Sequence, residues 1–163
     1  MHDLKRSNVA RLLLLLGAVA LAYSGVGYFL DAIKRKTEII ADVQFYGSPE
    51  LNSSPSKQQQ QSYMLLLESS AVIRAALEDE AIASLPLIER LYFPGRWIRQ
   101  HLTAEYLADS EMRITLTVPS NDSDQGKVLL DGVVAALVSE VQATSPGAAI
   151  RSSSARERDW GFH

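Results

Sequence analysis

The chain has no cysteine in its 163 residues, so neither a disulfide framework nor a thiolate metal site is open to it. That absence leaves the compartment undecided, because an extracytoplasmic domain of this size folds without bridges. Histidine is also scarce. His2, His101 and His163 are scattered, with no His-x-x-x-His or His-Asp pairing to support a metal site. A phosphate loop is missing as well. The Gly126-Lys127 pair lacks the glycine five residues earlier and the hydroxyl residue after it, since Asn121 and Val128 stand there. Asp122 and Asp124 open like a calcium loop, but no acid closes the twelve-residue pattern. None of the many serines sits in a Gly-x-Ser-x-Gly elbow. The remaining acidic cluster, Glu78-Asp79-Glu80, has a helix-end context. The residues therefore point to no catalytic constellation, cofactor or metal, and the chain reads as non-enzymatic.

What the chain does have is one long apolar run. Residues 12–30, "LLLLLGAVALAYSGVGYFL", hold 19 residues without a charge. At about 1.5 Å rise per residue these just span a hydrocarbon core of roughly 30 Å. Arg11 and Asp31 bracket the run, and Tyr23, Tyr28 and Phe29 lie toward its C-terminal end, where rings suit an interface. The expectation is a cytoplasmic N-terminus over 1–11 and a transmembrane helix over 12–30, giving a single-pass plasma (inner) membrane protein whose domain lies outside the cytoplasm. The rival is a cleaved signal peptide, with Lys5, Arg6 and Arg11 as its basic region and Ala22-Tyr23-Ser24 as the cleavage site. Within the run Gly17, Ala20, Ser24 and Gly27 share a helix face narrow enough for two backbones to approach, which predicts self-association and a homo-oligomer. Beyond it, residues 37–163 carry 10 basic and 17 acidic side chains, a balance of about −7. Such a domain repels nucleic acid and anionic lipid.

Residues 37–46, "TEIIADVQFY", alternate Ile39, Ala41, Val43 and Phe45 against polar neighbours, the period of a half-buried strand. Residues 47–61 are rich in Gly, Pro, Ser and Gln and read as a polar loop. Helical spacing returns over 62–79, with Ser69 or Ser70 as an internal cap, and two short helical pieces follow over 83–102, the second starting at Pro94. "LTAEYL" (102–107) pairs with "MRITLTV" (112–118) across an acidic turn. Asp122 and Ser123 are then the expected cap of a helix over about 123–142 that buries Val128, Leu130, Val133, Val134, Leu137, Val138 and Val141. Residues 143–163 are small, polar and aperiodic, and read as a disordered tail.

The succession "TEIIADVQFY", "LESSAVIRAALEDEAIASLPLI", "PGRWIRQHLTAEYLADSEMRITLTV" and "NDSDQGKVLLDGVVAALVSEV" resembles the N-terminal part of the polysaccharide chain-length determinants, the Wzz-type co-polymerases. The resemblance covers roughly residues 9–142. It implies an α+β protein in which one N-terminal transmembrane helix precedes a small extracytoplasmic domain, residues 37–142, with a two- to three-stranded sheet packed against helices. It also implies a non-catalytic scaffold that assists surface-polysaccharide assembly or export, with the membrane, further copies of itself and polysaccharide-assembly proteins as partners. Family members continue into a long helical extension and a second membrane helix, whereas here a polar stretch follows Gln142. The alternative expectation is a small anchored or secreted protein-binding module unrelated to polysaccharide.

Overall fold

In a computed structural model the described residues are 35–46, 55–145 and 147–158. The chain divides into two compact units, Met1–Arg35 and Lys36–His163, and the fold described here is that of the second. Its centre is β1 (Lys36–Tyr46), whose alternation buries Ile39, Ala41, Val43 and Phe45 completely on one face. Five short helices follow: α1 (Lys57–Leu67), α2 (Ser70–Glu78), α3 (Glu80–Ala83), α4 (Pro86–Glu89) and α5 (Pro94–His101). The hairpin strands β2 (Leu102–Ala108) and β3 (Glu111–Pro119) lead through a 3₁₀ turn (Ser120–Asp122) into α6 (Ser123–Thr144). Two short strands, β4 (Ala149–Ser152) and β5 (Arg156–Glu157), end the described chain.

The sheet is antiparallel throughout. β3 pairs β1 along its whole length, with Ile39 opposite Leu116 and Val43 opposite Met112, and β2 pairs the outer side of β3. On its other side β1 receives β4 and β5 in succession, Phe45 facing Ile150 and Ile39 facing Glu157. Among the described residues the helices lie against one face. There Met112, Ile114, Leu116 and Val118 of β3 join the β1 residues against Leu129, Leu130, Val133, Leu137 and Val141 of α6. Ile98 of α5, Val72 and Ile73 of α2 and Ile82 of α3 add to the core, as do Tyr63 and Leu67 of α1 and Leu87 and Ile88 of α4.

Local chemistry accounts for the breaks between helices. Ser56 and Gln59 form a reciprocal capping box that starts α1, and the Ser69 hydroxyl accepts from the Val72 amide to start α2. Pro94 takes the first turn of α5, where its missing N–H costs nothing. Gly126 lets the first turn of α6 lie against the sheet: a Cβ there would stand 3.0 Å from both γ-methyls of Val118.

Several expectations are corrected. The predicted transmembrane segment 12–30, with Gly17, Ala20, Ser24 and Gly27 on it, lies outside the described residues. Among the described residues no helix is long and apolar enough to cross a membrane. The longest, α6, carries Asp124 and Asp131 on its exposed side and Lys127 and Glu140 half-buried. For the membrane-spanning fold class and the single-pass inner-membrane location the correction is this: the described residues form an α+β unit without a membrane-crossing helix. Its sheet has five strands rather than two or three. The extra strands come from the stretch expected to be disordered, because β4 and β5 occupy the free edge of β1. Residues 57–61, expected as loop, already belong to α1. In α6 Leu129 is buried, whereas Val128 is 45% exposed.

Candidate functional site

The face of the sheet opposite the described helices concentrates charge. Register places Asp42 opposite Arg113, Glu38 opposite Thr117 and Glu105 opposite Arg113. Arg113 Nε donates to Asp42 Oδ1 at 2.7 Å and its Nη2 to Oδ2 at 3.3 Å. Arg156 of β5 reaches the same carboxylate, Nη2 to Oδ2 at 2.6 Å. The hydrogen bond from Arg113 first, then that from Arg156, holds the Asp42 carboxyl below its ordinary range against the opposing effect of burial. Arg113 is pushed up by the same pairing.

The C-terminal strands are fastened by this chemistry rather than by apolar packing. Arg158 Nη1 donates to Glu38 Oε2 at 2.7 Å and its Nη2 lies 3.8 Å from Glu105. Asp42 N donates to the Ser153 hydroxyl, and the Ala155 amide donates to Asp131 of α6 at 2.7 Å. On the helix side Lys127 bridges Asp124 at 3.0 Å and Glu157 at 3.1 Å. Its ammonium is pushed up by hydrogen bonds to those two carboxylates, and Glu157 is held down by Lys127 and then by Ser123. Ile150 and Ala155 are the hydrophobic residues that β4 and the strand-to-strand link add to the core.

Between Glu38, Thr103, Glu105, Thr115, Thr117 and Arg158 lies a cleft of about 350 Å³ on this polar face. Thr103 and Thr115 are direct cross-strand partners, and Thr115 is buried. The cleft offers hydroxyls, two carboxylates and a guanidinium, a set suited to holding a polar surface by hydrogen bonds. Both carboxylates lie beside Arg158, so the arrangement ties strands together and leaves no isolated acid–base pair. Two more cavities flank α5. One of about 400 Å³ runs along the β2 edge beside Leu67, Glu68 and Arg99, and one of about 300 Å³ lies between α2 and α5. Among the described residues no group of three or more acidic or histidine side chains is placed to hold a metal.

The expected cap residues behave differently from their prediction. Asp122 does hold the N-cap position of α6, but its side chain accepts nothing from the helix amides. Arg90 claims it instead, Nη2 to Oδ1 at 2.7 Å, and Gln125 Nε2 donates to the same oxygen at 3.3 Å. Gln125 in turn accepts from the Leu87 amide at 2.6 Å, so Asp122 ties the start of α6 to α4 and its flank. The preceding 3₁₀ turn brings Ser123 to the helix already in helical conformation, which leaves no role for its hydroxyl as a cap. Gly126 and Lys127 serve close packing and ion pairing rather than phosphate binding. The carboxylate–arginine network was invisible to spacing arguments, because Asp42, Arg113 and Arg156 meet across 71 and 114 residues of chain. The alternation that set Asp42 and Arg113 on the polar faces of their strands was its one available signal.

No family model, no curated protein and no solved structure matches this chain.

Proposed function

We propose that this chain is a non-catalytic scaffold assisting surface-polysaccharide assembly or export, akin to the chain-length determinants it resembles. The observation that carries the reading is the integration of the resembling segments into one unit. β1, the helical middle, the β2–β3 hairpin and α6 share a single core, with β1 at the centre of the sheet. The polar side chains around that core act as ties between strands, with Asp42 held by two arginines and Glu38 and Glu105 beside a third. A scaffold requires such rigidity and displays surface rather than a reactive group. Its partners on this reading are further copies of itself and polysaccharide-assembly proteins, and not nucleic acid, which an acidic domain repels. The test is removal of the gene from its native host, followed by electrophoretic profiling of the surface polysaccharide. The reading expects an altered length distribution or yield, restored by the gene in trans. An unchanged profile contradicts it.

A second reading, a protein-binding module with no link to polysaccharide, is favoured by one surface feature. Tyr92 and Phe93, edge-to-face at 4.7 Å, are 90% and 62% exposed at the corner before α5. Exposed aromatic pairs of this kind anchor protein interfaces. Proteins cross-linked to that corner and unrelated to glycan synthesis would shift the choice to this reading.

A further inference from the structure

The described unit is acidic, and three of its cations outside any ion pair are arginines of α2 and α5, with Lys36 and Lys57 lying elsewhere, at the starts of β1 and α1. Arg90, Arg113, Lys127, Arg156 and Arg158 are in ion pairs, and Arg151 lies over the Tyr46 ring. Among the described residues Arg74 of α2 and Arg96 and Arg99 of α5 make no ion pair. Two of them, Arg74 and Arg99, line the cavity of about 300 Å³ between α2 and α5. Its apolar lining is Ile73, Leu77 and Gly95, and Ser70 and Glu78 stand toward its opposite ends.

The helical spacing explains the polarity of this groove. Ser70, Arg74 and Glu78 recur every four residues and so lie in line along α2, hydroxyl first, guanidinium next, carboxylate last. Gly95 brings α5 close to Ile73 and Leu77, where even a Cβ would meet ordinary van der Waals contact. Arg99, one turn further, has its Nε 3.4 Å from the Gly95 carbonyl. Along the α2 wall Ser70 lies at the amino end of the helix, where the dipole is positive, Arg74 lies one turn on, and Arg99 lines the α5 wall. Ile73, Leu77 and Gly95 form the floor between them, and the Glu78 carboxylate makes the far end unfavourable to anions.

We propose that this groove binds a small single-chain amphiphile with an anionic phosphate or carboxylate head. The head lies between Arg74 and Arg99, near Ser70, and the first methylenes lie on Ile73, Leu77 and Gly95. Charge complementarity selects the head, since two unpaired arginines across an apolar floor are matched by one anion and not by a neutral polyol. The volume limits the ligand to a head and a short stretch of chain. The inference stands on the groove and is independent of the polysaccharide reading.

The test uses the full chain with methyl-labelled Ile73 and Leu77, titrated with hexyl phosphate, hexanoate, hexanol and inorganic phosphate. Saturable shifts of these methyls are expected with hexyl phosphate and hexanoate, and the tighter of the two identifies the head. Arg74→Gln and Arg99→Gln should each weaken the binding by about tenfold or more, Arg99→Lys should restore only part, and Glu78→Gln should tighten it. Hexanol binding as well as hexyl phosphate, or inorganic phosphate binding as tightly without the chain, overturns the proposal. So does unchanged affinity in either glutamine variant whose other methyl signals show the native fold.

Discussion

Arg113 and Asp42 face each other across β3 and β1, Nε to Oδ1 at 2.7 Å, and Arg156 takes the other carboxylate oxygen at 2.6 Å. One carboxylate thus joins three strands, two of them from opposite ends of the described unit. Replacing it isolates both guanidinium groups. Asp42→Asn should lower unfolding free energy on the order of 1–3 kcal/mol, mostly through Arg113, because Arg156 is half exposed and its pair is screened by solvent. Urea denaturation of the variant beside the parent checks this, as a fall in midpoint at constant slope.

The same carboxylate sets the acid limit. Asp42 and Glu157 are both held below their ordinary values of 3.8 and 4.5. A depressed folded value means that the unfolded state takes up protons first. Their stabilisation is then complete above those ordinary values and is lost as the pH falls below them through the folded ones. Thermal unfolding midpoints should hold steady near neutrality and drop below about pH 4.5, and Asp42→Asn should flatten that drop.

At the alkaline end Tyr106 acts in the opposite sense. Burial, aided by Tyr63, pushes its phenol up to about 12, and its hydroxyl donates to the Gln60 carbonyl at 3.2 Å. Between pH 10 and about 12 the unfolded chain loses this proton while the folded one keeps it, so stability falls with rising pH. Tyr106→Phe should reduce that slope, read from urea midpoints across the interval.

Gly126 is held by packing rather than by backbone conformation. A Cβ there would meet both γ-methyls of Val118 at 3.0 Å and Ile39 Cγ1 at 3.2 Å, side chains that are branched and fully buried. Gly126→Ala should therefore destabilise on the order of 1–3 kcal/mol despite its better helix propensity. Adding Val118→Ala should recover part of the helix packing, and a double-mutant cycle of midpoints measures the coupling.

The strands β4 and β5 should be the part of the unit most sensitive to salt. Their attachment runs through Arg156, Arg158, Glu157 and backbone hydrogen bonds, with Ile150 and Ala155 giving little apolar area. Hydrogen exchange of the Ser153 and Arg158 amides, which donate to Asp42 and Glu38 carbonyls, should quicken as ionic strength rises while that of Leu116 does not. A chain truncated after Ser145 should expose the β1 edge and associate at high concentration.

Much of this unit was legible in the sequence wherever burial leaves a period. Ile39 to Phe45 and Met112 to Val118 alternate and are buried, and Ser69 announced the break between α1 and α2. The edge strands were not legible, because "ATSPGAAIRSSSARERDWGFH" has no apolar alternation. Its pairing is made by main-chain bonds and by partners more than 100 residues away. Asp122 misled for a related reason. Local spacing marks it as a cap, whereas Arg90, 32 positions earlier, competes for its carboxylate in the folded chain. Val128 and Leu129 differ by a rotation of one residue on α6, which the position of α2 and α3 decides.

The central claim, a scaffold rather than a catalyst in polysaccharide assembly, is tested most directly by dosage. The surface-polysaccharide length profile is measured in a deletion strain as expression of this chain is raised in steps from trace to parental level. A scaffold acts in proportion to its copies, so the account predicts that the profile shifts continuously with expression. Full restoration at trace expression would indicate turnover and contradict the account, as would a profile that expression leaves untouched.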